Sequence, residues 1–238
     1  MLRNNETKQE ILSRLEPTKV IQNCLPKTLH HKLLDAYWTG DKNQKNTGPI
    51  TVDYFPNKME HTDWWLEVNE FITDYIGDHG CFASNFYHVK HPHVLHNDDS
   101  IRWVPRLHKT VVIPLEISAP TNFAVFDQCY LDGPVKLRHG GDPDKNAEMR
   151  NTYYNQNLLD NNVLINYTGV EFDKDTWTKY FTHLPYERFY GLSVESIVTW
   201  NPGDIIIFDT ARIHCASNFL QHGITEKIGY SIFTNLKV

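Results

Sequence analysis

Thirteen His and 29 Asp or Glu residues give this 238-residue chain many chances to set an imidazole beside a carboxylate. Roughly 1.6 His-x-Asp/Glu triplets are expected by chance at this composition, so a match alone carries nothing. Two occur: His61-Thr62-Asp63 and His96-Asn97-Asp98. The first opens a helical pattern. Residues two apart on a helix do not face each other, and an acid in the first turn complements the helix dipole, so His61 and Asp63 read as structural. The second closes the segment FYHVKHPHVLHNDD. In an extended chain, residues two apart project from one face. His96 and Asp98 can therefore bind one metal ion side by side, whereas His91 and His93 read as hydrated loop residues.

A third group completes the constellation. NPGDIIIFDTARIHCASN places a tight turn, a buried strand, a short connection and then His214 on a returning strand. Two imidazoles and one carboxylate form a facial triad that leaves three adjacent positions open on the metal. Each ligating His needs an acceptor for its other ring nitrogen, and no sequence signal names that acceptor.

The elements that must position these residues follow from periodicity. Residues 6–15 read as a short helix. A second helix starts at Pro26, carries Leu29, Leu33, Leu34 and Tyr37 at helical spacing, and ends at Gly40. A third covers 61–76 and closes at Gly77. From residue 81 the pattern turns to strands: CFASNFYHVK, HKTVVIPLEIS and NFAVFD, then SIVTW and DIIIFDT as a hairpin about NPGD, and finally EKIGYSIFTNLKV. Residues 131–194 are weakly periodic and rich in Asn, Asp and Tyr, the profile of an inserted lid. This segment holds Arg138, His139, Arg150, Tyr153, Tyr154, His183 and Arg188, to which the sequence assigns no role. The expected organisation is one domain over 1–238. Residues 1–80 form mostly helical support, and 81–130 and 195–238 form the strands of a mainly β barrel or two-sheet sandwich.

Composition narrows the class. Hydrophobic residues make up 40% and charged residues 22%, and the net charge is −6 with His neutral. An acidic chain is a poor partner for nucleic acid, which demands a basic face. Cys24, Cys81, Cys129 and Cys215 are widely spaced and form no CxxC pair, so free thiols are expected. The first residues lack the apolar core of a secretory signal, and no stretch has the length of a membrane span. The expectation is a soluble, cytoplasmic protein.

In its order of motifs the chain resembles the Fe(II)/2-oxoglutarate-dependent dioxygenase superfamily, especially the prolyl-4-hydroxylase-like and phytanoyl-CoA-dioxygenase-like branches. Tyr87 lies on the strand before the metal motif, and HND matches His-x-Asp. KTVVIPLEIS and NFAVFD match the next strands, and NPGDIIIFDTARIH matches the PGD-strand-His block. The resemblance implies a double-stranded β-helix (a jelly-roll or cupin-like barrel) braced by N-terminal α-helices. It implies Fe(II) at His96, Asp98 and His214, with 2-oxoglutarate and O2 as cosubstrates. It also implies a basic residue on the last strand for the far carboxylate of 2-oxoglutarate. Lys227, thirteen residues after His214, matches that position; Lys109 is the second candidate and Arg212 the third. Where the family often has Ser or Thr two residues after the base, this chain has Gly229, with Ser231 two residues later. Tyr87 is positioned to hydrogen-bond the cosubstrate.

The implied activity is hydroxylation of a small-molecule or side-chain substrate, with succinate and CO2 as co-products. Two other readings fit the same residues: a cupin-like metal-dependent isomerase or hydrolase, and a jelly-roll binding module without turnover.

Overall fold

The computed structural model describes residues 10, 13–40, 43–47, 50–54, 62–98, 106–130, 164–165 and 168–237. Of the helix expected over 6–15, residues 6–9, 11 and 12 lie outside the described residues. So do Arg138, His139, Arg150, Tyr153 and Tyr154. The strands are β1 (Lys19–Ile21), β2 (Asn43–Thr47), β3 (Ile50–Tyr54), β4 (His79–Val89), β5 (Leu107–Ile117) and β6 (Thr121–Tyr130). They continue with β7 (Leu164–Ile165), β8 (Val194–Trp200), β9 (Ile205–Asp209), β10 (Arg212–Ala216) and β11 (Lys227–Leu236). The α-helices are α1 (Lys27–Thr39), α2 (Asp63–Ile76) and α3 (Lys174–Tyr180).

Two antiparallel sheets build the molecule. The larger has the order β1-β9-β5-β11-β4. In the smaller, β6 pairs with β10, β7 and β8. A separate β2–β3 hairpin lies in the stretch expected to be mostly helical. Strand pleat sorts the side chains into layers. Val112, Ile206 and Phe208 of the larger sheet meet Phe123, Val125, Val198 and Trp200 of the smaller in one buried cluster. The opposite face of the larger sheet presents Val111, Ile113, Leu115, Ile205, Ile207, Ile228, Tyr230 and Ile232. These share a cluster with Leu29, Leu33 and Tyr37 of α1 and Val68 and Ile72 of α2. Strands buried on both faces explain the unbroken IIIF run, which shows no alternation. The outer face of the smaller sheet, with Ala124, Phe126, Ile213 and Cys215, is covered by Phe172, Phe181, Leu184 and Phe189 from the later part of the insertion.

The hairpin expected about NPGD does not form. β8 pairs with β6, whereas β9 pairs with β1 on one side and β5 on the other. Both edges of β9 are therefore occupied, and the turn carries the chain from one sheet to the other. Gly203 takes φ +92°, which L side chains rarely adopt. The Asp204 carboxylate accepts from the Asn23 backbone N–H at 2.8 Å, which docks the N-terminal strand on the turn.

An ionic cluster closes the face of β5 and β9 that points away from the inter-sheet core. Asp209 accepts from Lys109 Nζ at 2.6 Å and from the Glu16 N–H at 2.9 Å, and its Oδ2 lies 3.5 Å from Arg212 Nε. Lys109, Asp209 and Arg212 are all buried. Removing the shared acid strands two buried cations, an error that costs about 3–5 kcal/mol when nothing compensates. Because Glu16 also approaches Lys109, at 3.4 Å, Asp209→Ala is expected to lose about 3 kcal/mol. A lowered urea midpoint with unchanged slope would show this.

Candidate metal centre and adjoining pocket

His214 sits in the middle of β10, flanked by Ile213 and Cys215. Both neighbours point into the outer cluster against Phe126 and Phe181, so the pleat turns His214 inward. There its ring packs 4.7 Å from Phe208 and 5.4 Å from Phe123, centroid to centroid. His96 and Asp98 lie beyond the end of β4, in irregular chain and not in a strand. A two-residue bridge holds them there: the His96 N–H donates to the His214 carbonyl at 3.0 Å, and the His214 N–H returns the bond at 2.8 Å.

The bridge brings the three side chains together. Possible ligand atoms of His96, Asp98 and His214 all lie within 4.8 Å of one another, the one such group among the described residues. Asp98 Oδ1 is 3.7 Å from His96 Nε2 and 3.5 Å from His214 Nε2. Each ring's other nitrogen is committed. His96 Nδ1 is 2.7 Å from the Val94 carbonyl, and His214 Nδ1 is 3.0 Å from the Arg212 carbonyl. A carbonyl only accepts, so Nδ1 carries a proton in both rings, and Nε2 is the atom each ring turns towards the carboxylate. These two carbonyls are the acceptors that the sequence did not name. Burial, reinforced by His214 and His93, lowers the His96 pKa well below its ordinary value. Burial alone would raise the Asp98 carboxyl. His214, His96 and the Thr110 hydroxyl outweigh it and hold Asp98 below the ordinary carboxylate range. The donor set of two neutral imidazoles and one carboxylate suits a divalent first-row metal.

A second polar feature lies on the inner face of β11. Ile228, Tyr230 and Ile232 face the helices, so Lys227, Gly229 and Ser231 face the space between the sheets. Lys227 is only 4% exposed. Its Nζ stands 4.7 Å from the Trp200 ring centroid and 5.6 Å from that of Phe219. Among the described residues no carboxylate pairs with it. Burial lowers its pKa to about 7, opposed by Cys215. Among the described residues the titratable groups that act on it are Cys215, whose thiol burial pushes far up, and His183, which burial lowers to about 4. Neither carries charge at neutral pH.

Tyr87 and Gly229 are cross-strand partners. The phenol lies directly over the glycine: a Cβ at 229 would stand 2.3 Å from Tyr87 Oη and 2.4 Å from Cζ. The glycine at this position is thus the space that Tyr87 fills. Trp200 Nε1 donates to Tyr87 Oη at 3.4 Å. Burial raises the Tyr87 pKa, opposed by hydrogen bonds from Trp200 and Ser231.

Lys109 and Arg212 prove to be placed elsewhere. Both are bound to Asp209 in the ionic cluster, because residues 109 and 209 are register partners whose side chains share the opposite face of the sheet. That geometry removes them as free anchors. Sequence reading also passed over Thr110, Thr210 and Trp200. Their signal is a polar or indole group inside an otherwise apolar strand run, which periodicity scores as core.

No family model and no curated protein matches the chain in sequence. Solved structures do match in shape. The non-haem α-ketoglutarate-dependent epimerase SnoN of nogalamycin biosynthesis aligns over 94% of this chain and 80% of its own, at 13% identity and a TM-score of 0.51. The carbocyclase SnoK from the same biosynthesis aligns over 98% and 85%, at 13% identity and a TM-score of 0.50. HygX from Streptomyces hygroscopicus, solved with nickel and 2-oxoglutarate bound, aligns over 98% and 88%, at 8% identity and a TM-score of 0.51. The chain has the fold of these 2-oxoglutarate-dependent enzymes. The jelly roll that the motif order implied is therefore present. Among the described residues no helix is long and apolar enough to cross a membrane.

Gly229→Ala is expected to displace the Tyr87 ring and cost about 1–3 kcal/mol, the usual penalty of overpacking. In a Tyr87→Ala background the same substitution should cost far less. Thermal denaturation of the four proteins measures the coupling, and additive losses would remove the Tyr87–Gly229 contact as its cause.

Proposed function

We propose that the protein is a non-haem Fe(II) enzyme that uses 2-oxoglutarate and O2 to oxidise a C–H bond of its substrate, with hydroxylation as the outcome. The observation that carries this reading is the convergence of His96 Nε2, His214 Nε2 and Asp98 Oδ1 on one inward-facing point. The fold shared with 2-oxoglutarate-dependent enzymes supports it. When bound at these residues, iron would supply the redox chemistry that couples decarboxylation of 2-oxoglutarate to succinate with transfer of one oxygen atom to substrate.

The chain's own residues divide the remaining work. His96, Asp98 and His214 would hold the metal, with the imidazoles fixed in tautomer and orientation by the Val94 and Arg212 carbonyls. Lys227 would pair with the far carboxylate of 2-oxoglutarate, since it is a buried cation with no carboxylate partner among the described residues. The Tyr87 and Ser231 hydroxyls, on the same inner face, would donate to that carboxylate. Trp200 and Phe219 keep water from the ammonium. A small-molecule or side-chain substrate is the proposed partner.

An anaerobic absorption spectrum tests the assignment. Fe(II) followed by 2-oxoglutarate should give a visible metal-to-ligand charge-transfer band, absent in His214→Ala. Fe(II) binding without such a band would reject 2-oxoglutarate and favour a cupin-like metal site.

Lys227→Met should act in opposite directions on affinity and stability. It is expected to weaken 2-oxoglutarate binding by about 2–5 kcal/mol. It should also stabilise the ligand-free protein, because a buried unpaired cation is replaced by an apolar chain. Titration calorimetry and thermal melts of the same sample read both.

The pH dependence has a definite sign. With a folded pKa of about 7, Lys227 is charged below that pH and neutral above it. Binding of a dianion stabilises the charged form and raises the pKa in the complex. Affinity for 2-oxoglutarate should therefore be full below pH 7 and fall by about tenfold per unit above it, until the pKa of the complex is reached. In Lys227→Met this slope should vanish.

A further inference from the structure

We propose that Thr110, backed by Thr210, is a positioning residue that makes Asp98 present a single oxygen to the metal site. The inference rests on the reading of His96, Asp98 and His214 as the iron ligands.

The two oxygens of Asp98 have separate surroundings. Oδ1 faces the two imidazole Nε2 atoms at 3.7 and 3.5 Å, whereas Oδ2 accepts from Thr110 Oγ1 at 3.0 Å. Thr110 is 1% exposed and belongs to β5. Val112, two residues on, points into the inter-sheet cluster, so the pleat aims Thr110 at the same interior. Thr110 Oγ1 is also 3.1 Å from Thr210 Oγ1. A hydroxyl has one proton, and an ionised carboxylate only accepts. Thr110 therefore gives its proton to the stronger acceptor, the Asp98 carboxylate, with Thr210 Oγ1 as a second acceptor in reach.

This short chain of hydroxyls is anchored at its far end. Thr210 is fully buried, and its N–H donates to the His108 carbonyl at 3.2 Å. It occupies the turn between β9 and β10, four residues before His214 and next to Asp209, which Lys109 fixes from the other face. The turn that delivers one metal ligand thus also packs against the hydroxyl that orients another.

The consequence for the site follows from counting positions. Two imidazoles and one carboxylate oxygen occupy three positions and leave three adjacent ones open. A carboxylate released from Thr110 can turn its second oxygen to the metal and fill one of the three. Thr110 accordingly protects the room that a bidentate 2-oxo acid and O2 require.

Thr110→Val keeps the shape and removes only the hydroxyl. Fe(II) affinity, measured by anaerobic equilibrium dialysis, is expected to fall about 10–100-fold, the usual effect of losing a group that orients a ligand. Thr110→Ser should restore it to near the wild-type value. With Co(II) as probe, the visible d–d absorption of Thr110→Val should change in intensity, because it responds to coordination number and not to global stability. Wild-type Fe(II) affinity in a folded Thr110→Val protein, or no rescue by Thr110→Ser, would overturn the inference. Should Thr110→Val not fold, Thr210→Val decides: several-fold weaker Fe(II) binding is expected, and unchanged binding overturns the inference. If the wild-type protein itself binds no Fe(II), the iron reading fails and this one with it. Wild-type binding that is insensitive to both threonines rejects this inference alone.

Discussion

Two backbone hydrogen bonds, exchanged between His96 and His214, tie the irregular chain beyond β4 to a strand of the opposite sheet. β4 lies at the edge of the larger sheet and β10 at the edge of the smaller. The bridge joins them just where the candidate metal ligands sit. Backbone pairing fixes separation and direction more tightly than side-chain packing does, because each bond restricts distance and angle together. The bridge also sets which faces are opposed. His214 and His96 are directly paired, so their rings stand 4.2 Å apart, centroid to centroid. Asp98, two residues along, then reaches the same point.

The same molecule treats its buried cations in two ways. Lys109 and Arg212 share the Asp209 carboxylate on one side of the larger sheet. Lys227, on the inner face, stands over the Trp200 and Phe219 rings, with no carboxylate paired to it among the described residues. Cation–aromatic contact recovers part of the lost hydration, about 2 kcal/mol or more when desolvated, but it does not supply a counter-charge. A fold selected for stability alone would place an apolar residue there. Among the described residues no carboxylate balances this ammonium, which is why the proposed function gives it an anionic partner.

Glycine at position 229 shows how one contact reshapes a motif. The residue two after the base has no side chain because the Tyr87 phenol occupies that space. The next residue on the same face of β11 is Ser231. The glycine at 229 and the tyrosine at 87 are therefore one packing solution seen from two strands.

Much of this was legible in the residues themselves. The His-x-Asp pair, the NPGD turn and the inward strand position of His214 are local properties, although His96 and Asp98 sit in irregular chain held by a bridge and not in a strand. The ends of α1 and α2 were likewise marked, by Pro26, Gly40 and Gly77. What the sequence could not decide is everything that depends on which surfaces meet. The NPGD segment looks like a hairpin until β1 and β5 are seen to hold both edges of β9. Lys227, Lys109 and Arg212 are ranked only by resemblance until the tertiary structure joins the last two to Asp209 and leaves the first among aromatic rings. Thr110 and Thr210 are 100 residues apart in the chain, and only the pairing of β5 with β9 brings their hydroxyls together behind Asp98. Spacing along the chain determines which side chains share a face; the partner on the other side of that face is a long-range contact, and only the tertiary structure chooses it.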